Sequence, residues 1–191
     1  MEIEDIIKRN RELLISIARK TINSYVKEGK KECPDSYPEE LNFNAGVFVT
    51  INENNELRGC IGVPYPEMKL IDALCEAAVS ATQDPRFLPI KEKELKNIKI
   101  EISILTPPEK IEANDPMDYI NEIKPGIDGL IIEKGGASGL FLPQVWKEIP
   151  DKREFLNELC LKAGLPKNTW ENEKINLYRF HAYIINEEDL N

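Results

Sequence analysis

Histidine is almost missing from this sequence: His181 is the only one in 191 residues. That excludes the histidine-built metal centres and leaves a single imidazole for any acid–base chemistry. Cysteine is sparse as well. Cys33, Cys60, Cys75 and Cys160 contain no C-x-x-C pair, so a structural zinc site has no close ligand pair to start from, and no metal or other cofactor is expected. The opening residues, MEIEDIIKRN, are charged and amphipathic rather than a secretory signal, which argues against a disulfide framework. All four cysteines are therefore read as free thiols. No apolar run approaches the roughly 18–20 residues of a membrane span, and the expected location is the cytoplasm. Positive charge is also in deficit, with 25 Lys and Arg against 34 Asp and Glu, a formal net charge of −9. Such a surface repels a phosphate backbone on average, and no Lys/Arg run supports a local basic patch, so no nucleic-acid partner is expected.

What is present suits a folded core. Hydrophobic residues make up 41% of the chain, and neither a repeat nor a low-complexity linker divides it, so one domain over residues 1–191 is expected. Ile3, Ile6, Ile7, Leu14, Ile17, Ala18 and Tyr25 recur at helical spacing, predicting one helix over 3–28 closed by Gly29. NAGVFVTINENNELRGCIGV reads as a hairpin. With Glu53-Asn54-Asn55 as the loop, Val47, Val49 and Ile51 face Ile61, Gly59 and Leu57. On that register Phe48 faces Cys60, Thr50 faces Arg58, and Arg58 and Cys60 share a face.

Pro66 is expected to open a helix that ends before Pro85. NIKIEISIL alternates as a half-buried antiparallel strand. Asp115-Pro116 predicts a capped short helix. GIDGLIIEKGGASGLFLP predicts a second hairpin with a glycine-rich turn, which lacks the G-K-[ST] ending of a phosphate loop. Asp151 and Glu154 form a capping-box pattern before a helix that Gly164 and Pro166 terminate, and INLYRFHAYIINEE predicts one last strand. Hairpins without βαβ alternation place the chain in the α+β class, as antiparallel sheet flanked by helices.

The chemistry concentrates at Arg58-Gly59-Cys60-Ile61-Gly62. A thiolate is the nucleophilic form of cysteine, and a neighbouring guanidinium favours it. Flanking glycines let a substrate or another backbone come close. The competing reading packs Cys60 against Phe48 as a small apolar residue, with the glycines accommodating a bulge. Cys75 and Cys160 sit on apolar helix stripes and read as core. His181 has no partner visible in sequence and reads as structural. Asp84-Pro85-Arg86-Phe87 either pins a loop by an ion pair or presents an arginine fork to a carboxylate or phosphate.

LRGCIG (Leu57 to Gly62) resembles the signature of the AMMECR family. The likeness continues through DPRF (84–87), IEISIL (100–105), GIDGLII (126–132), FLPQVW (141–146) and FLNELCLKAGL (155–165). This resemblance implies an α+β fold with two lobes around a cleft lined by the signature residues. It also implies association with Memo-like proteins and radical-SAM proteins. Carried over by position, Cys60, Arg58 and Asp84 are candidate catalytic residues, and Gly59, Gly62, Arg86, Glu101 and Gln144 are candidate substrate contacts. Two functions follow as expectations. One is an enzyme or enzyme subunit working through Cys60 on a small or modified substrate. There Arg58 stabilises the thiolate, Arg86 holds an anionic group, and Asp84 or Glu101 orients it or exchanges a proton. The other is a non-catalytic module whose cleft docks a peptide, metabolite or partner protein.

Overall fold

The computed structural model of the chain describes residues 2–190. The N-terminal apolar stripe forms two helices, α1 (Ile3–Arg9) and α2 (Arg11–Glu28), where the spacing predicts one. The break is Asn10, which leaves helical geometry at φ −102° and ψ 11°. Its side-chain amide donates to the Ile6 carbonyl and to Glu40 Oε1, bonds to the backbone and to a distant loop that local propensity does not reveal. Gly29, left-handed at φ 69°, closes α2 as expected.

The first hairpin pairs β1 (Gly46–Glu53) with β2 (Glu56–Val63), and its register corrects the expectation. The turn is the two-residue Asn54-Asn55, both at positive φ, and Glu53 faces Glu56. Asparagine tolerates that geometry, and the primed turn it makes matches strand twist. A two-residue turn alone would mix the apolar and polar faces. A bulge at Ile51/Asn52 absorbs Arg58 as the extra residue, so Asn52 faces Leu57 and Ile51 faces Gly59. Beyond it Thr50 faces Cys60, Val49 faces Ile61 and Phe48 faces Gly62, a shift of two residues from the expected pairing. Cys60 thus stays on the face of Phe48 and Thr50, but opposite the threonine.

A helix, α3 (Leu70–Ala81), begins after Lys69 rather than at Pro66. Residues 43–45 claim the backbone before it, through Leu70 N–H to the Phe43 carbonyl and Ala45 N–H to the Met68 carbonyl. β3 (Ile98–Leu105) pairs antiparallel with β1. The final apolar run is two strands rather than one, β7 (Asn176–Phe180) and β8 (Ala182–Asn186), interrupted at His181. β8 completes a sheet in the order β2-β1-β3-β8. Val47, Val49, Ile51, Ile100 and Ile102 belong to the same buried cluster as Leu14 and Ile22 of α2 and Leu70 and Leu74 of α3.

The chain divides into two compact units. The sheet just described belongs to the first, which runs to Leu105 and resumes at Tyr183. The second, Thr106–Ala182, has the sheet order β4-β7-β5-β6, with β4 (Glu109–Lys110), β5 (Gly129–Lys134) and β6 (Ala137–Phe141). Gly135 and Gly136, both at positive φ, make the β5–β6 turn as the glycine run predicts. Its helices are α4 (Pro116–Glu122), α5 (Lys152–Lys162) and the single turn α6 (Thr169–Asn172). Asp115 caps α4 by accepting from the Met117 amide, and Asp151 caps α5 by accepting from the Glu154 amide. Phe155 of α5 stacks on Trp146 at 3.6 Å between ring centroids, in a core of its own. The architecture is α+β, with two four-stranded antiparallel sheets. Among the described residues no helix is long and apolar enough to cross a membrane.

The thiol inventory also needs correction. Cys33 and Cys75 form a disulfide, with Cα atoms 5.9 Å apart and 42 residues of separation. Thr21 Oγ1 donates to the Glu32 carbonyl at 2.6 Å, holding the loop after α2 against Cys75 on α3. That bond fixes the backbone one residue before Cys33. We expect the Cys33→Ser/Cys75→Ser double variant to lose about 2–4 kcal/mol of stability. Urea unfolding followed by far-UV circular dichroism measures it, and an unchanged midpoint would show that the crosslink stabilises nothing.

Candidate functional site

The site begins with a row of side chains. Cys60 on β2 faces Thr50 on β1, and Thr50 faces Glu101 on β3, so all three project from one face of the first sheet. Beside them runs a second row, Gly62, Phe48 and Ser103. Alternation sends Val49, Ile51 and Ile100 to the other face, into the core with α2 and α3. Thr50 Oγ1 donates to Cys60 Sγ at 3.2 Å. Cys60 is a free cysteine and partly exposed.

β2 is an edge strand, and edge strands carry backbone groups without a neighbour. At Cys60 the loop after α3 supplies one. Asp84 Oδ2 accepts the Cys60 N–H at 2.9 Å, and Arg86 Nη2 donates to the Cys60 carbonyl at 3.3 Å. The same two side chains bind each other, with Arg86 Nε to Oδ1 at 3.0 Å and Nη2 to Oδ2 at 2.7 Å. The Arg86 amide also donates to Oδ1, at 3.0 Å. Asp84 is buried while the Arg86 side chain is 56% exposed. The Arg86 guanidinium holds the Asp84 carboxyl well below the usual carboxylate range, at about 2, with the Cys60 and Arg86 amides adding to the effect against the opposing cost of burial. Such a carboxylate orients its neighbours; it is poorly suited to exchanging protons near neutral pH.

The glycines of the signature answer to packing. A Cβ on Gly59 would lie 2.1 Å from the Ala81 carbonyl oxygen at the end of α3. One on Gly62 would lie 2.4 Å from the Phe48 ring and from the Val47 carbonyl oxygen. Close approach is therefore real, but it is by this chain's own helix end and aromatic ring. Arg58, at the bulge, donates Nε to Glu94 at 2.8 Å and Nη1 to the Leu88 carbonyl at 2.9 Å. Burial works against the Glu94 carboxylate, but the Lys91 amide and the Arg58 guanidinium outweigh it and its pKa is lowered. Of the two arginines, Arg86 is the one that bonds to Cys60, at its carbonyl.

The first unit accordingly gathers Arg58, Gly59, Cys60, Gly62, Asp84, Arg86 and Glu101. Gln144 lies in the second, in the turn Pro143–Lys147 after β6. Cys160 is buried in the second core, and burial pushes its thiol up. Sequence reasoning missed the partner of His181: its Nε2 lies 3.2 Å from Asp128 Oδ1. Asp128 is buried, and its other oxygen accepts the Lys124 amide at 2.9 Å. Asp128 sits in the quoted GIDGLII stretch, but nothing local links it to a residue 53 positions later.

This geometry can be set beside known proteins. The AMMECR1 family model matches residues 15–185, a span that contains every site residue described above. The chain belongs to the AMMECR1 family. A protein of Methanothermobacter thermautotrophicus is 48% identical over 178 residues, covering 92% of this chain and 93% of that one. A protein of Methanocaldococcus jannaschii is 51% identical over 177 residues, covering 91% and 88%. The crystal structure of an uncharacterized protein from Pyrococcus horikoshii superposes with a TM-score of 0.86 at 48% identity, covering 93% of this chain and 91% of that chain. In this member of the family the LRGCIG stretch lies on an edge strand of the first of two sheets.

Two outcomes test the structural roles. Gly59→Ala should destabilise the protein by roughly 3 kcal/mol, because the Ala81 backbone carbonyl stands in the way of the added carbon, whereas Thr50→Ser should leave the thermal midpoint nearly unchanged. Because the Asp84 carboxyl is depressed from 3.8 to about 2, its contribution is complete above about pH 4 and fades as pH falls toward 2. Asp84→Asn should therefore flatten the acid-unfolding profile in that window, and an unaltered profile would show that the ion pair does not stabilise the fold.

Proposed function

We propose that this AMMECR1 protein is a thiol-dependent enzyme, or the thiol-bearing subunit of one, acting through Cys60 on a small or modified substrate that carries an anionic group. One observation carries the reading. Both backbone groups of Cys60 are held by the Asp84–Arg86 pair, which fixes a partly exposed thiol beside a guanidinium whose side chain is 56% exposed. A nucleophile held in place beside a cation meets the requirements of covalent catalysis. In this reading the Cys60 thiolate attacks, Arg86 receives the substrate's anionic group, and Asp84 orients Arg86. Glu101, in the same cross-strand row, carries protons, while Arg58 keeps the bulge in place through Glu94. Gln144 is a substrate contact, and Memo-like and radical-SAM proteins are the companions, working in the cytoplasm.

A second reading has an observation of its own. Leu88 is 76% exposed and Leu57 41%, in the two segments that the Arg58–Leu88 hydrogen bond joins. Exposed leucines beside the signature suit a docking module for a peptide or partner protein.

Iodoacetamide labelling of the native protein, mapped by peptide mass, separates the two. Cys60 should be alkylated while Cys33, Cys75 and Cys160 are protected. At pH 7 Arg86→Gln should slow the reaction about fivefold, in line with the loss of a charge worth about 1 kcal/mol near a protein surface. Arg86→Lys should restore much of the rate, and Arg58→Gln should leave it unchanged in a folded variant. Protection of Cys60 until unfolding, or a rate indifferent to Arg86, would favour the docking module.

A further inference from the structure

Outside the Cys60 site, positive charge collects where the sequence shows no basic run. A cavity of about 470 Å³ in the first unit lies between α2 and the segment leading into β3. Its lining includes Arg19, Asn23, Lys27, Lys96 and Lys99, with Glu187 as its carboxylate. Arg19, Asn23 and Lys27 stand one turn apart along α2, so their side chains lie on one face of the helix. Lys96 and Lys99 come from the opposite wall. A second hollow of about 640 Å³ shares Lys27, Leu95 and Lys96 and extends to Lys93 and Glu92.

The lining groups differ in commitment. Arg19 is engaged at all three nitrogens: Nε and Nη2 bind Glu187, Nη1 donates to the Leu95 carbonyl and Nη2 to the Ile98 carbonyl. Glu187 also accepts the Ile100 amide at 3.0 Å. This network makes a rigid, nearly neutral wall that ties α2, β3 and the C-terminal turn together. The lysines are different. Among the described residues neither Lys27, Lys96 nor Lys99 has an ion-pair partner, although the chain as a whole is acidic by nine charges. Nearby carboxylates are taken by other cations, Glu28 by Lys30 and Glu32 by Lys20. The Asn23 amide oxygen is buried without a hydrogen-bond partner. Its amide nitrogen is not buried and has no hydrogen-bond partner among the described residues, so as placed it can donate to a ligand.

We propose that this cavity binds a compact polyanion bearing two phosphoryl groups, such as the diphosphate portion of a nucleotide-sized metabolite. Three exposed lysines without ion-pair partners line one space and create a local positive potential that an anion of charge −2 to −3 neutralises. The Asn23 NH2 group supplies a directional hydrogen bond to a phosphoryl oxygen. The volume falls within the ~300–1,000 Å³ typical of small-ligand sites. Lysine serves here as a point charge toward phosphate while the arginine stays in the wall, in keeping with the different chemistry of the two groups. The site does not rest on the reading of Cys60, and a result at either leaves the other standing.

Isothermal titration of the full chain with inorganic pyrophosphate at 0.1 M salt tests the proposal. The expected result is one saturable site, with sulfate binding at least about tenfold more weakly. Lys27→Gln, Lys96→Gln and Lys99→Gln should each weaken binding about fivefold, as expected for losing one charge contact at a partly exposed site. Lys20→Gln, which removes a lysine already paired with Glu32, should change little. Asn23→Leu should weaken binding beyond the effect of charge, with the fold checked by circular dichroism. Absence of saturable binding, equal affinity for sulfate, or equal losses in Lys20→Gln and Lys27→Gln would overturn the proposal. So would an acidic peptide or oligonucleotide binding at these lysines where pyrophosphate does not.

Discussion

The ion pair between Asp84 and Arg86 is the constraint on which the candidate site depends. β2 lies at the edge of its sheet, and without a further strand the Cys60 N–H and carbonyl would face outward unpaired. Asp84 supplies the acceptor and Arg86 the donor, so two side chains stand in for the missing strand at one residue. Because each partner also satisfies the other, removing either leaves a charged group and a peptide group without their bonds. The proline between them interrupts helical continuation after α3 and forms part of the turn that brings both side chains back to β2. DPRF is therefore best understood as the clamp that positions LRGCIG, and the two stretches are one structural unit despite 24 residues of separation.

Period and punctuation were enough to place most elements. Strict alternation in NIKIEISIL marked β3, paired glycines marked the β5–β6 turn, and Asp115 and Asp151 marked two helix starts. The hairpin register was not legible, for a definite reason. Two adjacent asparagines can make a two-residue turn, and that turn keeps apolar faces together only if a residue is extruded elsewhere. The extruded residue is Arg58, and it is anchored by Glu94, which lies 36 positions away. Local pattern contains no trace of that anchor. The split of the C-terminal run at His181 is similar, since one apolar stretch supplies strands to two different sheets.

Tertiary partners account for the other misses as well. Asn10 breaks the first helix because Glu40 offers its amide a bond. Cys33 meets Cys75 across 42 residues, with Thr21 holding the carbonyl of the preceding Glu32. His181 meets Asp128 across 53 residues. Lys96 and Lys99 likewise come to line one cavity with Lys27 of α2, some 70 residues earlier in the chain. Sequence reasoning found the reactive candidates by residue type. It could not tell which cation served which partner.

That distinction narrows what LRGCIG means. Gly59 is required by the Ala81 carbonyl, Gly62 by the Phe48 ring, and Arg58 by the bulge that Glu94 anchors. Ile61 faces Val49 and packs against the first core. Each of these has a packing reason that would hold in a protein with no chemistry at all. Cys60 is the exception. Its backbone is clamped, but its side chain makes one hydrogen bond, to Thr50, and a serine could accept that bond equally well. Packing explains why position 60 must be fixed and why its neighbours must be small. It gives no reason for sulfur there, which is what leaves the thiol, with the half-exposed Arg86 bonded to the carbonyl of the same residue, as the candidate for chemistry.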